Sequence, residues 1–553
     1  MTWQQIATAQ QLLERERGTI HKDWGGRLPI ALIFPNSYYL GMSSLAIHTL
    51  YRWWNSREDV VCERVFVDPR AITRPQAEPP ISLESGASLD YFPVLAFSLT
   101  YEMDYFNLIA LLRAADIPPL AAQRDGTHPL LVAGGPAVSA NPEPLAPILD
   151  AIVIGEVEPV LDQFTDTLHH LTDDREEVLT ALAQVPGIYV PAKVADDAQP
   201  IARLWLQDLD AWPTHSVLAT PDTEFADMGL IEIARGCGRG CRFCLAGYLY
   251  RPPRQRSLDS ILAQAQGLLR DQDRVGLVSA AVSDHAEIDQ LARELRSMGA
   301  RISVSSMRVD PPSEQLIQAL AESGTRTLTI APEAGSERLR RVINKTQTEE
   351  DVLRAVDLAA QHELEQIKLY FMLGLPTEDQ EDVRALVELA EACAERFTRQ
   401  VTVNITPFVP KAHTPFERVK QTPPKVVKKR LSYVERMLRR KGIAVKSESP
   451  AWAEIQGTLA RGDQRVADAL LAAERLTPAN WRDLLVQSKL DPQEFLRQRS
   501  PHEALPWNVI DSGVHAAYFE RESQRADTGR TTAPCPPQGC VLCGVCEDEQ
   551  AAS

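Results

Sequence analysis

Leu230–Cys244 reads LIEIARGCGRGCRFC, an apolar run that passes straight into a glycine-rich loop bearing Cys237, Cys241 and Cys244. The run Leu230-Ile231-Glu232-Ile233-Ala234 predicts a buried strand, which puts the three thiols at its carboxyl end. Their spacing is C-x3-C-x2-C, and within thirty residues on either side the one further Cys or His is His215. A structural zinc takes four ligands, so the loop is one short. Three thiolates on an iron–sulfur cubane leave one iron open, and a molecule offering an amine and a carboxylate can take that position.

The same strand opens an alternation of short apolar runs and helical periods. Strands are expected at Leu230 to Ala234, Val275 to Ala281, Ile302 to Met307, Thr327 to Ala331, Ile367 to Leu373 and Val401 to Phe408, separated by helices such as Ser257 to Arg270 and Glu349 to Gln361. Six such units predict an open, partial (β/α)6 barrel with its chemistry at the carboxyl ends of the strands. Upstream, Ile30 to Phe34, Val60 to Val67, Val94 to Leu99, Leu130 to Ala133 and Ala151 to Ile154 predict an α/β domain built on a doubly wound, Rossmann-like parallel sheet. Gly134-Gly135-Pro136 and Gly155-Glu156 end two of these strands, where backbone approaches a ligand closely or simply turns tightly. Helices at Lys425 to Lys441, Val466 to Arg475 and Asn480 to Val486 follow the barrel. The expected division is a sheet domain over 1–160, a linker region over 161–228, the barrel over 229–415, a helical C-terminal domain over 416–520 and a Cys-rich tail over 521–553.

A chain of 553 residues exceeds what one hydrophobic core usually supports. With 44% hydrophobic and 24% charged residues it has an ordinary globular composition, and no apolar run approaches the roughly 18 residues that cross a bilayer. The N-terminus lacks a basic start followed by an apolar stretch, which predicts a cytoplasmic protein without a membrane partner. That compartment is reducing, so nine cysteines, seven of them in two tight clusters, predict ligation of metal in place of disulfides. Cys62 and Cys393 are expected to be small core residues. A net charge of −17 argues against a protein that coats nucleic acid. Within that acidic chain Arg418 to Lys446 is strongly basic, which predicts a solvated amphipathic helix and leaves RNA open as a phosphate-rich partner.

The second cluster is Cys535, Cys540, Cys543 and Cys546, in C-x4-C-x2-C-x2-C spacing. Four thiols that close can share one centre. The first three match a plant-type ferredoxin run, so a second iron–sulfur cluster and a zinc knuckle both fit.

The three-cysteine loop, with Phe243 before its last thiol, resembles the signature of the radical S-adenosylmethionine (radical SAM) superfamily. The resemblance implies a 4Fe-4S cluster on Cys237, Cys241 and Cys244. Its open iron binds the methionyl part of S-adenosylmethionine, and one electron, from a donor such as flavodoxin or ferredoxin, cleaves that molecule to a 5′-deoxyadenosyl radical. Carried over by position, the cosubstrate contacts are Phe243, Ser279, Arg308, Glu333 and Lys368; Lys368 reads equally as a solvated or ion-paired strand residue. The superfamily's glycine-rich turn after the second strand is replaced by Ser279-Ala280-Ala281-Val282-Ser283-Asp284, whose small residues still permit close approach.

A sheet domain ahead of such a barrel is similar to the cobalamin-binding class of that superfamily, a bacterial branch of which is largely without assigned reactions. PNSYYLGMSSL, AGGPAVSANPEPL, LTIAPEAGSERLR, IKLYFMLGLPTE and FVPKAHTPF carry the likeness. It implies cobalamin contacts at Asn36, Tyr38, Gly41, Ser98, Gly134, Gly135, Gly155 and Glu156. Where the D-x-H-x-x-G segment of cobalamin modules supplies a cobalt-ligating histidine, this chain has Tyr38. A tyrosine with a pKa of about 10 is a poor ligand, so no histidine is expected on the lower face of the corrin. The implied activity is cobalamin-dependent methyl transfer to an unknown substrate. Cobalamin-independent radical modification of RNA is the alternative; an iron–sulfur scaffold without turnover is a third reading, against which the open-iron signature argues.

Overall fold

The computed structural model describes residues 2–74, 76–169, 174–195, 198–304, 307–310, 312–536 and 539–546. Strands β1 (Leu28–Phe34), β2 (Val60–Phe66), β3 (Val94–Ser98), β4 (Leu130–Gly134) and β5 (Ala151–Val153) form a parallel sheet in the order β2-β1-β3-β4-β5. Neighbouring residues of β1 enter opposite cores: Ala31 and Ile33 pack on one face, Ile30 and Leu32 on the other. Both faces are covered, and for that reason the strand reads as an unbroken apolar run. The winding direction reverses between β1 and β3, which makes the carboxyl edge there the place for a ligand.

The segment read as a linker contributes to this sheet. Helices Leu161–His169 and Arg175–Leu182 lead to β6 (Ile188–Tyr189), which pairs antiparallel with β5. A two-residue strand is too short to leave a periodic trace.

The six expected barrel strands are present in two parallel ladders. Gly229–Glu232, Arg274–Val278 and Arg301–Val304 form one; Thr327–Glu333, Gln366–Leu373 and Gln400–Pro407 form the other. Residues 305–306 of the expected Ile302 to Met307 strand lie outside the described residues. The second ladder gains an unforeseen strand, Ala444–Ser447, parallel to Gln400–Pro407. The helix between them, Pro424–Arg440, buries Val427, Leu431, Val434 and Leu438 in the barrel core, so the βα pattern runs past 415 and into the basic stretch. In Gln366–Leu373 burial alternates: Ile367, Leu369, Phe371 and Leu373 pack under helices, and Lys368 and Tyr370 take the opposite, inner face. On that face Lys368 and Met372 are half-buried and Tyr370 is exposed, unlike the packed interior of a closed eight-stranded barrel.

The later helices do not stand apart. Ile455, Leu459, Val466, Leu470, Trp481 and Leu485 share a core with the first sheet, and Trp481 meets Phe106 edge to face at 5.6 Å. Helix Ala516–Asp527 crosses the expected start of the tail at Arg521, its Tyr518, Phe519, Glu522 and Ala526 buried. Cys62 and Cys393 are buried core residues, as expected.

Candidate functional site

The three-cysteine loop leaves the first barrel strand and folds back on itself, Ala234–Arg235 pairing antiparallel with Arg254–Gln255. Cys241 is buried; Cys237 and Cys244 are half-buried. Burial pushes the Cys244 thiol up to about 12, with the charges of Cys241 and Cys237 adding to the effect, so thiolates here need a cationic partner. Arg242, fully buried, fastens the loop: its guanidinium donates to the carbonyls of Arg341, Val342 and Arg530 and pairs with Glu522 at 3.0 Å. Arg239 makes two hydrogen bonds to Asp284, at 2.8 and 2.6 Å, tying the loop to the end of the second barrel strand. In donor chemistry, three thiols on one loop without a fourth protein ligand there fit a cluster with one open iron.

Of the cosubstrate candidates, Ser279, Arg308 and Glu333 are brought to the strand ends around this loop. Ser279 lines the cavity beside Cys237. Arg308 pairs with Asp310 at 2.7 Å, and its charge acts on both Cys237 and Cys241. Glu333 has φ +67, a left-handed backbone that a non-glycine residue holds only under constraint, and its carboxylate meets Lys345 at 3.3 Å. Burial pushes the Glu333 carboxyl up despite Lys345 and Arg308. Lys368 lies on the barrel's inner face, in register with Thr329 and Thr402. Phe243 packs beside a small core containing Ile343, Leu375 and Phe416. Lys345, Arg239 and Asp284 were not foreseen, because their partners are 12 to 45 residues away and leave no local spacing to read.

A second cavity, of about 370 Å³, lies between the carboxyl edge of the first sheet and the loop. Ser98, Gly134, Gly135, Gly155 and Glu156 line it, with Leu45, Leu161, Phe164 and, from the barrel side, Gly236, Ala246 and Ser279. Gly135 and Gly155 have φ +112 and +97, and an added Cβ would stand 2.5 Å from Leu99 O and 2.2 Å from Leu204 O, so neither place admits a side chain. Three of the expected contacts are elsewhere. The Tyr38 hydroxyl donates to Glu16 at 2.5 Å and its ring packs on Phe66; Gly41 is pressed against the same ring; Asn36 donates to Asp104 at 2.7 Å. The turn after β1 is therefore spent on internal packing, and these residues do not line the cavity.

Besides lining the cavity, Glu156 has a second task. It takes Arg254 at 2.8 and 3.0 Å, Arg235 at 2.8 Å and the Leu206 amide at 2.9 Å, clamping the sheet edge to the barrel loop. Burial pushes its pKa up, but the two guanidinium groups outweigh burial and the net shift is down. Glu156→Gln is therefore expected to cost about 3 kcal/mol at neutral pH, by leaving two buried arginines short of a charge. A lowered folded pKa means the unfolded state binds more protons in acid, so the wild-type advantage fades as pH falls below about 4.3 and vanishes under the folded value. Denaturant midpoints of the two proteins between pH 7 and pH 3 would converge.

The tail lies against the first loop. The Cys535 amide donates to Gly238 O at 2.7 Å, and Asn344 bonds both Gly240 O and Thr532. Cys237 and all four tail cysteines border one cavity of about 880 Å³, and Ala234, Gly236 and Ser279 line both it and the smaller cavity. Among the described residues, no three Cys, His, Asp or Glu side chains are gathered closely enough to hold a single metal ion. No helix among them is long and apolar enough to cross a membrane.

Comparison with known proteins matches residues 46–191 to the family model for the N-terminal part of radical SAM proteins, and residues 231–390 to the radical SAM superfamily model. An uncharacterized protein of Methanocaldococcus jannaschii is 34% identical over 446 residues, which is 80% of this chain and 90% of that protein. A tRNA-2-methylthio-N(6)-dimethylallyladenosine synthase of Clavibacter sepedonicus is 27% identical over 240 residues, 41% of this chain and 44% of that enzyme. Among solved structures, the chain is similar to a radical SAM methyltransferase, TsrM, from Kitasatospora setae with cobalamin and a [4Fe-4S] cluster bound. That likeness has a TM-score of 0.48 and 14% identity, over 91% of this chain and 99% of the other.

Proposed function

The chain belongs to the radical SAM superfamily, and on that premise we propose that it is a cobalamin-dependent methyltransferase acting on a substrate held in the open barrel. The observation that carries this reading is that Ala234, Gly236 and Ser279 line both the sheet-edge cavity and the cavity beside Cys237. A group seated on the sheet edge and one seated on the loop would then be neighbours. Cys237, Cys241 and Cys244 would hold a 4Fe-4S cluster, which supplies the electron that cleaves S-adenosylmethionine. Arg308 and Glu333 offer a cation and a carboxylate to a zwitterionic amino acid and ribose hydroxyls at the loop. Lys368, on the inner face, is assigned to the same cosubstrate. Ser98, Gly134, Gly135 and Gly155 would receive cobalamin, and the apolar walls around them exclude water from a transferring methyl group.

The proposal has two spectroscopic and chemical consequences. No histidine is among the described residues that line the sheet-edge cavity; His48 is buried nearby in sequence but is bonded to Met42 O and the Val217 amide. Cob(II)alamin bound to the protein is therefore expected to show no imidazole nitrogen coupling in its EPR spectrum, and such coupling would contradict the site. After anaerobic reconstitution and cobalamin loading, turnover is expected to release both 5′-deoxyadenosine and S-adenosylhomocysteine. Formation of neither overturns the reading. Release of 5′-deoxyadenosine alone favours modification without cobalamin. For that second reading the outer face of Pro424–Arg440, where Arg436, Arg439 and Arg440 flank a shallow groove, is the RNA surface to test. Reversing the charge of Arg439 and Arg440 would then abolish salt-dependent RNA retention.

A further inference from the structure

We propose that Cys535, Cys540, Cys543 and Cys546 hold a second iron–sulfur centre that relays electrons to the centre on the first loop. This rests on the proposed role of Cys237, Cys241 and Cys244 and adds the route by which their electron arrives. Three observations support it. The tail touches the loop directly: besides the Cys535 amide on Gly238 O, a Cβ added at Gly238 would stand 3.2 Å from the Cys535 Cβ. The opposite side of the tail reaches solvent, where Val541 and Leu542, between Cys540 and Cys543, are 57% and 48% exposed. Two adjacent apolar side chains shown to water beside four thiols suit the docking of a protein donor.

The third observation is a buried cation between the two thiol sets. The Arg251 guanidinium lies 4.5 Å from the Tyr248 ring centroid and 5.2 Å from that of Tyr518, and one of its nitrogens stands 3.5 Å from where a Gly240 Cβ would be. Its charge acts on Cys535 and Cys543. A positive charge here favours the reduced, more negative state of a four-thiolate centre. Zinc would draw four thiols to about 3.8 Å of one another, from Zn–S bonds of about 2.3 Å. The shared cavity of about 880 Å³ leaves room for a polyatomic cluster. One electron enters the tail centre from an external flavodoxin- or ferredoxin-type donor and one leaves it for the first centre, with no bond or proton exchanged.

The test uses the full chain in three forms. With Cys237→Ala, Cys241→Ala and Cys244→Ala combined, anaerobic reconstitution is expected to leave about four irons per chain and an EPR signal on reduction by dithionite. Zinc in that variant, or no metal, overturns the proposal. With the cysteines intact, Val541→Glu combined with Leu542→Glu is expected to keep all the iron and to slow reduction of the first centre by reduced flavodoxin at least tenfold, with reduction by dithionite unchanged. An unchanged flavodoxin rate overturns the relay. In the triple-cysteine background Arg251→Gln is expected to lower the midpoint potential of the remaining centre, and an unmoved potential overturns the role given to Arg251. A tail centre that survives while the wild-type chain never cleaves S-adenosylmethionine sinks the function proposed above and not the second centre.

Discussion

Cys241→Ala is expected to lower dithionite-driven cleavage of S-adenosylmethionine at least a thousandfold, about 4 kcal/mol of lost transition-state stabilisation, and to remove about four irons per chain. The middle cysteine of the loop is the right one to change. It is 8% exposed, its charge acts on the other two thiols, and Arg242 beside it is pinned by four partners, so the backbone is held whether or not metal is bound. Removing one sulfur from a buried site costs about 1 kcal/mol, which a framework of this size withstands. The denaturant midpoint of the metal-free variant should therefore stay close to that of the metal-free wild type. Using dithionite bypasses any relay through the tail and isolates the first centre. A variant with full iron and undiminished 5′-deoxyadenosine formation would remove the loop from the chemistry.

Elements whose residues are buried on both faces, or alternate strictly, were legible in the chain. β1 to β5 and the six barrel strands are of that kind, and so is the loop, whose thiols lie within eight residues of one another. What escaped reading depends on contacts remote in sequence or on short elements. Ala444–Ser447 is a strand because Gln400–Pro407 offers it an open edge, and its sequence AVKS reads as part of a basic stretch. Tyr38 and Gly41 stand where the D-x-H-x-x-G segment of cobalamin modules places its histidine and glycine. Glu16, 22 residues earlier, and Phe66, from β2, take them instead. Glu156 was found as a strand-end residue, but its partners Arg235 and Arg254 lie 79 and 98 residues away, and no spacing announces a clamp of that kind. Arg251 was passed over for the same reason: the tail thiols on which its charge acts come from the far end of the chain.

Gly134→Leu separates the two cofactor readings with one side chain. Gly134 lies in the wall of the sheet-edge cavity at the end of β4, and an added Cβ would meet Val153 at an ordinary 3.7 Å, so the backbone and its neighbours accept a side chain there. Its neighbour Gly135 does not, and a substitution at that place would test folding instead of binding. A leucine at 134 puts four carbons into the wall of that cavity. Cobalamin retention in equilibrium dialysis is expected to weaken at least thirtyfold, about 2 kcal/mol. Iron content and 5′-deoxyadenosine formation should be those of the wild type, because the loop thiols and Arg308, Glu333 and Lys368 do not line this cavity. Retention unchanged by the leucine would put cobalamin away from this cavity. If the wild type itself retains none, the sheet edge holds no cobalamin. Methyl transfer then loses its carrier, and the radical chemistry of the loop, with RNA the first substrate to try, becomes the reading to pursue.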